Sequence, residues 1–210
     1  MTEQEWLICN DARLMLVFLE DKSSPRKARF FACAIGRAMW PYLGDERSRR
    51  VVEVAERHAD NTATEAELHL AESEALDSNR GWASRVARCA GDRWAWQGAR
   101  VAMVCLQHAL ETREGRDVAK RVVSRSRQIL ACVFGNPFRT VALDSAWRTS
   151  DVLLLARGIY EEREFGGMPI LADALQDAGC DSADILTHLR DASATHVRGC
   201  WALDLVLGKE

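Results

Sequence analysis

"SSPRKARFFACAIGRAMW", residues 23–40, carries the start, body and stop of one α-helix. Ser24 can accept from an orphan backbone N–H of the first turn, and Pro25 sits where a missing N–H costs nothing. Phe30, Phe31, Ala34, Ile35 and Ala38 then recur at the spacing that lines one helix face. Pro41 and Gly44 end the run. Alternation of period two, the mark of a half-buried strand, is missing here, and it is missing everywhere else along the chain.

The same grammar repeats in both directions. Thr2 with Glu5 and Thr64 with Glu67 have the form of capping boxes, in which two orphan N–H groups are satisfied reciprocally. Asp45 predicts a cap for a helix through Val51, Val52, Val54 and Ala55. Residues 80–112 read as one long helix, which Gly91 and Gly98 each weaken by about 1 kcal/mol relative to alanine. "RDVAKRVVSRSRQILACVF" (116–134) sets Val118, Val122, Ile129 and Val133 along one side, and Gly135 with Pro137 stops it. In the connector 135–148, Asp144 can cap a single turn. Shorter helices follow: "SDVLLLARGIYEEREF", "MPILADALQDAG" with Pro169 inside its start and Gly179 past its end, "DSADILTHLRD", and "THVRGCWALDLVLG" with Gly208 past its end. The fold class expected is all-α, an irregular helical bundle of about eight to ten helices without significant sheet. No fixed-period repeat supports a solenoid.

The 210 residues suit a single helical domain. A subdivision into 1–134 and 149–210 is suggested by the connector. The second part alone could barely sustain a core, so one packed unit is expected. With 48% hydrophobic and 28% charged residues, the composition excludes a disordered chain. No apolar run approaches the ~20 residues that cross a bilayer. The opening "MTEQEWLICNDARLM" lacks the basic and apolar regions of a signal peptide, so a cytoplasmic location and no membrane partner are expected. Seven scattered cysteines read as small buried hydrophobes rather than a disulfide framework.

The phrases "FGNPFRTVALDSAW", "ARGIYEEREFGGMPILADALQDAGC" and "HVRGCWALDLVLGKE", with "MTEQEWL" at the start, resemble a family of uncharacterised planctomycete bacterial proteins carried in many copies. The resemblance covers both ends of the chain and runs loosely through about 60–125. It implies no activity. Family members carry extra cysteines near "FACAIGRAMW" and beside His188; here Ile35, Gly36 and Leu189 occupy that neighbourhood.

Three constellations are candidates for function. Cys180, His188, His196 and Cys200 supply the two thiols and two imidazoles of a structural zinc site. His196 and Cys200 are four apart, which on a helix is one face. Against this, Cys200 before an apolar run reads as a buried thiol behind Trp201, and nothing in "DSADILTHLRD" forces His188 the same way. The expectation is therefore no cofactor, with zinc as the alternative for these four.

The second constellation is basic. Residues 79–134 hold eleven basic and four acidic side chains, next to one basic and eight acidic in 51–78. Arg113, Arg116, Lys120, Arg121, Arg125 and Arg127 share one predicted helix. Arg85, Arg88, Arg93 and Arg100 precede them, interleaved with Trp82, Trp94 and Trp96, as in proteins that stack single strands on aromatic rings. The competing expectation is that the acidic block packs on the basic one and neutralises it within the fold. Third, Asp173 and Asp177 have i,i+4 spacing but read as surface. No dinucleotide fingerprint, phosphate loop, HExxH or GxSxG occurs, which argues against an enzyme of a motif-bearing class. The reading is a non-enzymatic protein-interaction module whose partner is another protein. Nucleic-acid association through 79–134 is the first alternative and a zinc-stabilised domain the second.

Overall fold

The computed structural model describes residues 1–76 and 81–209. Among them every regular element is helical: α1 (Glu3–Ile8), α2 (Ala12–Leu19), α3 (Pro25–Ala38), α4 (Glu46–Ala59), α5 (Glu65–Leu76), α6 (Trp82–Arg88), α7 (Ala95–Glu111), α8 (Arg116–Phe134), α9 (Ser150–Glu162), α10 (Met168–Asp177), α11 (Ala183–Arg190) and α12 (Trp201–Leu207). The caps fall where the sequence puts them. Thr2 and Glu5 close a full capping box, and Thr64 and Glu67 exchange the same pair of bonds at 2.8 and 3.2 Å. Ser24 accepts from Lys27 N–H, and Asp45 from Arg47 N–H. Gly135, Gly179 and Gly208 all adopt the positive φ that ends a helix.

The twelve helices among the described residues exceed the eight to ten expected, partly because the described part of 80–112 is two helices. The chain turns between Arg88 and Ala95, and the cause is tertiary. Arg29, buried in α3, donates to the carbonyls of Ala90, Asp92 and Arg93 at 2.9, 2.9 and 3.3 Å. Those carbonyls would otherwise belong to a continuing helix. At Gly91 a Cβ would fall 2.5 Å from the Val51 side chain, so a larger residue would push the turn off α4.

The contacts divide the chain into two compact units, Met1–Leu130 and Ala131–Glu210. The connector 135–148 goes with the second, because its Val141, Leu143 and Trp147 pack on that unit's core. In the first unit α3 is central, against α4, α6 and α7, with α5 on α4 and α2 on α7. Phe30, Phe31, Ile35, Leu106 and Met39 are fully buried there. Its buried carboxylates are paired: Arg37 clamps Glu56 through two bonds of 3.1 and 2.7 Å, and Arg26 meets Asp60 at 3.1 Å. In the second unit α9 packs on α10 and α12, and α11 on α10 and α12. Ala156, Met168, Leu171, Leu175, Ile185, Leu189 and Leu203 fill it. Among the described residues no helix is long and apolar enough to cross a membrane.

Candidate metal centre

Cys132 lies in the last turn of α8, where the apolar pattern of Ile129, Leu130 and Val133 buries it. His188 lies near the end of α11, beside the buried Leu189. After α11 the chain makes turns rather than a helix through 191–199, and Gly199 at φ +84° brings it to Cys200, the residue capping α12. His196 sits in that looped segment. These four converge: one potential ligand atom from each lies within 4.8 Å of all the others. His188 Nε2 is 3.2 Å from Cys200 Sγ, and Cys132 Sγ is 4.0 Å from His196 Nδ1. The two imidazoles meet edge to face at 5.0 Å between centroids, and Trp201 lies against His188 at 5.1 Å.

Three of the four residues singled out by spacing, His188, His196 and Cys200, are thus brought together. The fourth position belongs to Cys132, not Cys180. Cys180 is buried in the same core, but it is not one of the converging group, and burial pushes its thiol up. His196 and Cys200 also differ from expectation in not sharing a helix, since α12 begins only at Trp201. Cys200 is a fully buried thiol, as expected. His188 turns inward because Ile185 and Leu189 fix the inner face of α11 and the Trp201 ring backs the imidazole.

The electrostatics of the cluster favour thiolate. Burial pushes Cys200 up, but hydrogen bonding from Cys132, His188 and His196 outweighs it and holds the thiol well below its ordinary range. His196 Nε2 is buried with no hydrogen-bond partner among the described residues, a costly arrangement for a polar atom. Two sulfurs and two imidazole nitrogens are a borderline-soft donor set, suited to zinc. Around an ion with bonds of about 2.0–2.3 Å, tetrahedral ligand atoms lie about 3.3–3.8 Å apart. The His188–Cys200 and Cys132–His196 separations, 3.2 and 4.0 Å, stand on either side of that range, so tetrahedral closure asks the four side chains to adjust.

The other sequence candidates are placed differently. Of the six basic residues on α8 and its approach, three serve the fold. Arg127 donates to the carbonyls of Cys9 and Leu7 at 2.9 and 2.6 Å, Arg121 to the Tyr42 hydroxyl at 3.0 Å, and Arg116 to the Leu110 carbonyl at 3.0 Å. Arg113, Lys120 and Arg125 are exposed. The acidic and basic blocks do adjoin, with α4 and α5 against α6 and the turn after it. Arg93 and Glu65 join them at 3.5 Å, both well exposed, while Arg100 of the basic block pairs with Glu20 instead. Residues 77–80, at the junction of the blocks, lie outside the described residues. Trp94 is exposed with Arg93 against its ring, whereas Trp96 is buried. Asp173 accepts from Arg190 at 2.6 Å, and Asp177 is exposed. No family model, curated protein or solved structure matches this chain.

Proposed function

We propose that Ala131–Glu210 is a zinc-stabilised helical module, with Cys132, His188, His196 and Cys200 as its four ligands, in a non-enzymatic protein that acts by binding a partner. The observation that carries the zinc reading is the convergence of four ligand atoms within 4.8 Å. Four protein ligands, two of them on fully buried thiols, leave no open position for substrate, which is the arrangement of a structural rather than a catalytic ion. Size points the same way. A helical unit of this length buries a limited core, and units near that size often gain stability from a metal.

The test is elemental analysis of purified protein together with cobalt substitution. About one zinc per chain and a tetrahedral cobalt–thiolate spectrum are expected, both lost in Cys132→Ser. Absence of metal after purification without chelator, with no uptake on titration, overturns the reading. Retention of full metal in Cys132→Ser, with loss in Cys180→Ser, would restore the ligand set suggested by spacing alone.

The partner-binding reading draws on a different observation. Leu7, Ile8, Leu14 and Val17 of α1 and α2 are all more than half exposed, and the last three flank an open groove with Met1, Glu5, Cys9 and Phe18. Contiguous apolar surface of this kind is characteristic of contact faces. Ile8→Asp with Leu14→Asp should abolish any stoichiometric partner that co-purifies with the wild type. A partner retained by the double variant would move the contact elsewhere. Nucleic-acid association has less support, because three of the six basic residues on which it would rest are committed to carbonyl and hydroxyl acceptors of the chain itself.

A further inference from the structure

In Met1–Leu130, α5 distributes its polar and apolar residues in an uncommon way. Glu65, His69 and Glu72 stand at i, i+4 and i+7, the spacing of a single helix face. Leu68, Ala71 and Ala75 are buried beside that stripe, while Leu70 and Leu76 are left more than half exposed. The polar stripe lines a cleft of about 610 Å³, together with His58 at the end of α4 and Gly91 and Arg93 in the turn after α6. Arg29 of α3 also lines it, at only 6% exposure. Gly91 lets the turn come close to α5, since a Cβ there would lie 3.3 Å from Glu72 Cβ. Clefts of about 300–1,000 Å³ are the size that hold small molecules.

The deepest charge in this cleft lacks a counter-ion. Arg26 and Arg37, on the same helix as Arg29, each meet a carboxylate, at 3.1 and 2.7 Å. Arg29 instead donates to three neutral backbone carbonyls, and no carboxylate pairs with it among the described residues. A guanidinium carries five N–H donors, so three such bonds leave its fork unfilled. A buried charge in that state is costly until an anion meets it. His58 is half-buried next to it. Burial and Arg29 push its imidazole down, so the neutral ring offers one donor and one acceptor.

The α5 wall has the opposite sign. Glu72 is 28% exposed and meets His69 at 3.8 Å, and the largely exposed Glu65 meets Arg93 at 3.5 Å. Two arginines and two glutamates cancel, yet the cleft is polarised, with a cation at depth and carboxylates along one side. A ligand that is net neutral with separated charges keeps that balance, whereas a phosphate dianion would face both glutamates.

We propose that this cleft binds a small zwitterion of the amino-acid class, with its carboxylate on Arg29 and His58 and its ammonium on Glu72 and Glu65. A carboxylate matches the planar guanidinium fork and supplies the missing counter-charge. The site lies wholly within Met1–Leu130 and does not depend on the metal reading of Ala131–Glu210.

The test is isothermal titration calorimetry of the full-length protein with each proteinogenic L-amino acid in turn. Any that bind are repeated as their N-acetyl and carboxamide forms. Binding of at least one free amino acid is expected. Blocking either charge should weaken it by about tenfold or more, the scale of one charge-assisted hydrogen bond. Glu72→Gln should weaken the same ligand by a similar factor and His58→Ala by less, with circular dichroism checking that the helices persist. Arg29 is left in place because it also holds the α6–α7 turn. Zinc content before and after titration separates binding in the cleft from chelation of metal by the amino acid. The proposal is overturned if no amino acid binds at millimolar concentration, or if inorganic phosphate or the N-acetyl form binds as tightly as the free amino acid. It is equally overturned if binding survives both substitutions undiminished.

Discussion

The two units solve the same problem by different means. Met1–Leu130 has enough chain to bury a broad core, and it uses buried charge to fix the shape of that core. Arg29 holds the turn between α6 and α7 by three carbonyls, and Arg37 with Glu56 joins α3 to α4. Ala131–Glu210 has fewer residues, a mainly aliphatic core, and a cluster of two thiols and two imidazoles. A large helical core can leave cohesion to apolar burial and use polar groups for specificity. A small one gains from a few strong bonds between distant segments.

The largest effect that would separate the units is metal removal. With free zinc about a thousandfold above its dissociation constant, linkage contributes about 4 kcal/mol, or about 20 °C in the midpoint of a unit this size. Chelation, or Cys200→Ser, is expected to produce that shift in a transition reporting on Trp201. Trp6 and Trp96, buried in the first unit, should report an unchanged midpoint. Equal shifts at both sets of reporters would erase the contrast between the units.

Next in size is Arg29→Met, which leaves three carbonyls of the α6–α7 turn without their donor. A loss of about 3 kcal/mol is expected by denaturant titration, with zinc content unchanged. Gly135→Ala should cost about 1–2 kcal/mol, since φ is +66° there and a Cβ would stand 3.1 Å from the Trp201 ring. Because that ring backs His188, the variant should also bind zinc more weakly, a joint effect that isothermal titration and unfolding together would detect.

Smaller still are the surface terms. Arg93→Ala, which breaks the exposed contact with Glu65, should change stability by less than about 0.5 kcal/mol. The last prediction concerns rate rather than stability. Alkylation of Cys105 by iodoacetamide should follow a titration with midpoint about 6, falling as pH drops below it because the thiolate is lost. Cys89→Ala removes the hydrogen bonding from position 89 that lowers it and should move the midpoint upward.

The helices were legible because their signals are local. Thr2 with Glu5, Ser24 with Pro25, and Gly135 act within a turn of their own position, so the chain announces them wherever it folds. The break between α6 and α7 was not legible, because its cause is Arg29, sixty residues upstream. The candidate metal centre divides along the same line. His188, His196 and Cys200 lie close in sequence and were visible as a group. Cys132 reads as one more small apolar residue among Ile129, Leu130 and Val133, and only the tertiary fold brings it to the histidines. Cys180 had the better local position, just past a helix stop, yet its thiol went into the core.

The order of the four candidate ligands along the chain has a mechanical consequence. Cys132 stands at the entry of its unit, and Cys200 stands one helix from its exit. An ion held by both would act as a drawstring, closing nearly the whole unit into one loop and removing most of the open conformations of the unfolded chain. Connector, α9, α10 and α11 would then lie inside a closed ring. Amide exchange across them should occur in one cooperative opening with the metal bound, and helix by helix from the ends once it is withdrawn.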